Sequence, residues 1–91
     1  MKNTQKMLHK RDIRVGMLVT ATSANDAQVY TVTDIVGNQV ELKWYEGSQL
    51  CGSWYDIWSL YRPTVEQIEI SIASNGPLVA HQANVSTQLF A

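Results

Sequence analysis

The side chains able to do chemistry in this 91-residue chain are few and widely spaced. His9 and His81 stand near opposite ends, and neither has a serine, cysteine or carboxylate at a spacing that implies a nucleophile and its base. Cys51 is the only cysteine, which excludes an internal disulfide and any zinc site built from several thiolates. With no cationic neighbour to lower its pKa, Cys51 reads as an inert small apolar residue. The residues therefore predict a non-enzymatic protein without metal or cofactor.

What the chain has in abundance is aromatic surface. Six of its eight aromatic residues fall between positions 44 and 61: Trp44, Tyr45, Trp54, Tyr55, Trp58 and Tyr61. Rings this dense in so short a chain exceed what one small core hides, and Trp and Tyr dominate binding hot spots. Trp44 is expected in the core, and Tyr45, Trp54, Tyr55 and Trp58 on a partner-binding face. Residues 15 to 61 contain Asp26, Asp34, Glu41, Glu46 and Asp56 against Lys43 alone. A face with Glu46 and Asp56 beside the rings favours cationic groups, to which cation–π contacts add. The opposite electrostatics occupy the start of the chain, where Lys2, Lys6, Lys10, Arg11 and Arg14 face only Asp12. These five suit phosphates, so a nucleic-acid-binding module with aromatic stacking is the alternative reading.

The elements that must position these groups follow from periodicity. Residues 1 to 11 read as a flexible basic arm, residues 12 to 85 as one domain, and residues 86 to 91 as a tail. Val15 to Val19 opens a strand in which Met17, Val19 and Ala21 share a face at period two. The turn-forming run Thr22 to Ala27 ends it. Val29 to Ile35 is β-branched, and Gln39 to Tyr45 alternates with Val40, Leu42 and Trp44 inward, so Gly37-Asn38 between them predicts a hairpin. Glu46 to Gly52 is expected as a loop bounded by Gly47 and Gly52. In the run to Pro63, Ile57 and Leu60 are spaced for one side of a single 3₁₀ turn. From Thr64 two patterns compete. Ile68, Ile70 and Ile72 alternate as a strand, whereas Thr64 with Gln67 forms a capping-box pattern for a helix. The strand is expected, with residues 78 to 85 returning as its hairpin partner.

This order of elements resembles the small SH3-like β-barrels. Val15-Gly16-Met17-Leu18-Val19 is similar to the opening strand of Tudor- and KOW-type members, residues 29 to 44 to their central hairpin, and residues 56 to 63 to their turn before closure. The resemblance implies an all-β, five-stranded barrel with a short 3₁₀ turn, here with a basic N-terminal arm and an extra C-terminal hairpin. It also implies binding of a protein, peptide or nucleic acid rather than catalysis. A protein or peptide partner is the first expectation, with a homodimer as a further one. Without a secretory leader or an apolar span the chain reads as cytoplasmic, and its small size fits an accessory protein of a phage or other mobile element.

Overall fold

The computed structural model describes residues 5 to 79. Strands β1 (Leu18–Thr20), β2 (Val29–Val36), β3 (Gln39–Glu46) and β4 (Gln49–Asp56) form one antiparallel sheet in the order β1-β2-β3-β4. Helix α1 (Val65–Asn75) follows, and 3₁₀ turns occupy Lys10–Asp12 and Ile57–Ser59. No helix among the described residues is long and apolar enough to cross a membrane.

The central hairpin forms as its alternation requires. Val40 and Leu42 are fully buried on the inner face of β3, joined there by Val19, Val32, Ile57, Leu60, Ile13 and Leu8. Burying one such side chain stabilises the fold by about 1.5–3 kcal/mol. Strict alternation along β2 would carry Asp34 to the same side as Tyr30 and Val32. A bulge between Val32 and Asp34 prevents it, because Val32 pairs with Leu42 while Asp34 already pairs with Glu41. Asp34 is thereby exposed and Ile35 packs on the core. The Thr33 hydroxyl donates to the Glu41 carboxylate at 2.9 Å beside the bulge.

Two expectations about the later elements give way. Glu46 to Gly52 is not a loop: Gly47-Ser48 alone makes the turn, with Gly47 at φ 68°, and Gln49 pairs with Glu46 to start β4. Gly52 lies within that strand. The extra C-terminal hairpin is also corrected, since its first arm is α1. Thr64 Oγ1 accepts from the Gln67 backbone at 3.0 Å and Gln67 Oε1 accepts from the Thr64 backbone at 3.0 Å, a complete capping box. The second arm extends past Val79, and residues 80 to 85 and the tail lie outside the described residues.

The helix won because its buried stripe is polar. Gln67 and Ser71, four apart, are its buried residues. Gln67 Nε2 donates to the carbonyls of Ala24 at 2.8 Å and Thr22 at 3.3 Å. Ser71 Oγ accepts from Gln28 Nε2 at 3.0 Å and from the Val29 backbone at 3.2 Å. At the far end the Gly47 backbone donates to the Asn75 carbonyl at 3.0 Å. Val65 and Ile72, by contrast, are 71% and 44% exposed. The helix packs against the outer side of β2 at Val29, and beyond its end the Val79 carbonyl accepts from Thr31 Oγ1 at 2.8 Å.

Order extends towards the N-terminus beyond Ile13. Leu8 belongs to the core, its backbone donates to the Leu60 carbonyl at 2.7 Å, and Met7 bridges to Tyr61. Residues 5 to 11, read from sequence as an arm, thus lie against the body.

Candidate functional site

Strand parity divides the aromatic run. Residues pointing inward on β3 and β4 are Val40, Leu42 and Trp44 opposite Tyr55, Ser53 and Cys51. Tyr55 is therefore half-buried against Tyr30, with ring centroids 5.5 Å apart and hydroxyls at 3.5 Å. Trp44 meets the same Tyr30 edge to face at 4.9 Å. Glu46 belongs to this side as well, accepting from Trp44 Nε1 at 3.1 Å. Burial, the Tyr55 hydroxyl and the Glu46 carboxylate all push the Tyr30 phenol above its ordinary pKa. The Cys51 thiol is raised by desolvation and then by Glu46. Both shifts favour the neutral forms of the Tyr30 phenol and the Cys51 thiol, and the rings pack the end of the core.

Tyr45, Trp54 and Asp56 take the outer face instead. Trp54 is 46% exposed and shares a shallow apolar depression of about 260 Å³ with Val36 and Gln39. The register sets Glu41 between Trp54 and Asp34, so this ring stands in an acidic row. Asp56 has a structural task, accepting from the Trp58 backbone at 3.0 Å to cap the second 3₁₀ turn. Tyr45 is half-buried opposite Leu50. The six residues expected on one face are thus distributed over three places.

Trp58 occupies the third. The 3₁₀ turn that buries Ile57 throws the next side chain outward, leaving Trp58 51% exposed at the end of the sheet. The chain returns there through the Lys10–Asp12 turn, held by the Leu8–Leu60 backbone bond and by Lys10 Nζ donating to Asn38 Oδ1 at 2.9 Å. His9, Lys10, Arg11 and Trp58 consequently line one open cleft of about 460 Å³. A neighbouring cleft of about 470 Å³ shares His9 and adds Lys6 and Arg62, with Asp12 as its one carboxylate. Arg14 is turned aside, its guanidinium donating to the carbonyls of Arg11 and Ile13. Lys2 lies outside the described residues.

The alternative reading placed the basic residues and the aromatic rings on one ligand, but the docking of this turn beside the tryptophan was not visible in sequence, where 47 positions separate Arg11 from Trp58. Its only trace was the Met7-Leu8 pair, which is what anchors the N-terminal residues to the core edge. Among the described residues no group of three or more His, Cys, Asp or Glu side chains is placed to hold a metal ion. The chain matches no protein-family model, no curated protein and no solved structure.

Proposed function

We propose that this chain is a non-enzymatic binding module whose ligand is single-stranded nucleic acid, taken up in the cleft between Trp58 and the His9–Arg11 turn. The carrying observation is that an exposed indole and two exposed cationic side chains, Lys10 and Arg11, line the same cavity. A base stacks on the ring whatever its identity, while the phosphates on either side meet Lys10 and Arg11 and, further along, Lys6 and Arg62. The acidic outer face around Glu41 and Asp34 repels the rest of the strand and so keeps it at this end. The five-stranded SH3-like reading agrees with this. Thr20 and Tyr61 exchange both backbone bonds, at 2.9 and 2.8 Å, which supports Tyr61 as a minimal closing strand beside β1.

The test is tryptophan fluorescence of the full chain titrated with mixed-sequence single-stranded DNA and RNA at low and at physiological salt. Saturable quenching should survive at physiological salt. Trp58→Ala should weaken binding by about 1–3 kcal/mol, the usual worth of one stacked base, with the thermal transition unchanged. Lys10→Ala with Arg11→Ala should reduce the slope of log affinity against log salt by about 1.4. Absence of quenching at both salt concentrations refutes the reading.

A protein partner is the second reading, favoured by one observation: Trp54 and Val36 are both exposed on one depression beside Glu41 and Asp56. Trp54→Ala tests it alone, because adding Tyr55→Ala would also remove core packing.

A further inference from the structure

β4 is an edge. The sheet ends with it, and among the described residues no backbone hydrogen bond reaches its outer side. The orientation of its peptide groups follows from the turn before it. In a two-residue hairpin the flanking pair, here Glu46 and Gln49, exchanges both bonds, and alternate pairs thereafter do the same. Cys51, Ser53 and Tyr55 then direct their amides and carbonyls towards β3, as does Ile57, whose amide donates to the Asn38 carbonyl at 2.9 Å. Leu50, Gly52 and Trp54 direct theirs outward.

Natural edges carry devices that prevent pairing, such as prolines, central charges or bulges. This one has none: residues 49 to 55 contain no charge and no proline, and β4 pairs with β3 without a break in register. Its side chains are also symmetric about Gly52. Leu50 and Trp54, 49% and 46% exposed, lie two residues to either side and project from the same outer face. Gly52 between them carries no side chain of its own, and the Lys43 stem lies beside it, its Cγ 3.4 Å from where a Cβ would stand.

We propose that β4 pairs edge to edge with β4 of a second copy of this chain, antiparallel and centred on Gly52. This rests on the second reading above and names the partner as a second copy. In that register Gly52 faces its own equivalent across the two-fold axis, and each Trp54 ring lies over Leu50 of the other copy. All three pairs are of the kind that exchanges both hydrogen bonds. Asp56 falls opposite Ser48 of the second copy, so no like charges meet. The product is one continuous sheet running through both copies, with the two Trp58 clefts left open.

Sedimentation of the full chain from about 1 µM to about 1 mM, a range spanning weak to moderate affinities, should show a concentration-dependent dimer. Gly52→Pro removes an outward amide that β3 does not use, and should give a monomer that keeps its thermal transition. The register is tested by Gly52→Cys in a Cys51→Ser background. Directly opposed residues in a bonded pair have Cα atoms about 5.5 Å apart, within disulfide range, so mild oxidation should link the dimer covalently. Ser48→Cys in the same background should not link. If Gly52→Pro fails to fold, the cross-linking pair decides the matter. A monomer at every concentration, a dimer that survives Gly52→Pro in a folded protein, or equal cross-linking at positions 48 and 52 would overturn the proposal. Any of these leaves the Trp54 reading to its own titration against other proteins.

Discussion

Replacing Gln67 by alanine is the most direct way to ask whether polar contacts seat the helix. The side chain is fully buried and makes four hydrogen bonds: with the Thr64 amide at 3.0 Å, Gln5 Nε2 at 2.8 Å, and the carbonyls of Ala24 and Thr22 at 2.8 and 3.3 Å. A net worth of about 1 kcal/mol for each of the three shorter bonds gives a loss of about 3 kcal/mol, the longer Thr22 contact adding little. At about 4–8 °C per kcal/mol for a domain of this size, the melting midpoint should fall by about 12–24 °C. Thr64→Ala is the calibrating variant. It removes only the cap and keeps the contacts of Gln67 with the Ala24 loop, so it should cost about 1 kcal/mol. Gln67→Leu preserves volume and should fall between the two. Val65→Ala, at an exposed site on the same helix, should stay within about 0.5 kcal/mol. Circular dichroism melts of the four variants measure all of this. A Gln67→Ala midpoint equal to that of Thr64→Ala would refute the reasoning, because it would show that the grip on the Thr22–Ala24 loop contributes nothing.

Further outcomes follow from the sheet. Gly47→Ala should cost about 1–2 kcal/mol, since at φ 68° a Cβ is strained even with open space around it. Gly52→Ala, outside that region and 3.4 Å from Lys43 Cγ, should leave the melt unchanged. Tyr30 links stability to alkaline pH: its phenol is raised in the folded state, so the unfolded chain releases that proton first, near 10.0. The stabilisation is therefore complete below pH 10 and is lost above it, and Tyr30→Phe should lose less stability between pH 9 and 11 in denaturant titrations. Alkylation of Cys51 should show a midpoint above the ordinary 9.0, and Glu46→Gln should move it down.

The parts of this fold that were legible in sequence are those where one face is apolar and the other polar. Gln39 to Tyr45 alternates because β3 is buried on one side, and Ile57 with Leu60 marked the single turn that buries both. Helix α1 was misread for the converse reason. Its buried stripe is Gln67 and Ser71, so the isoleucines at 68, 70 and 72 report its flanks and not its seat, and their spacing imitates a strand. The capping box was the truthful signal, being local chemistry independent of which side faces the core. The site was illegible on two counts. Clustering along the sequence says nothing of strand parity, which sends Tyr55 inward and Trp54 outward. The pairing of Trp58 with Lys10 and Arg11 arises only from tertiary docking of Leu8 beside Leu60.

The extra residue at Thr33 gives β2 something like a reading frame. Downstream of it, Ile35 counts inward from Val40; upstream, Tyr30 and Val32 count inward from Trp44 and Leu42, and the bulge keeps both halves in phase by absorbing the one additional residue. Deleting Thr33 would leave Val32 inward, Asp34 outward and Ile35 inward by plain alternation against Leu42, Glu41 and Val40, so a single-codon loss there should keep both halves in phase, whereas one further residue inserted beside it would have to be absorbed in its turn or would carry Asp34 inward. A deletion in the exposed Ser23–Asp26 run shifts no frame. Length variation in this chain is thus constrained by phase, and the tolerated places are the turns at which the count begins anew and, for loss, the bulge.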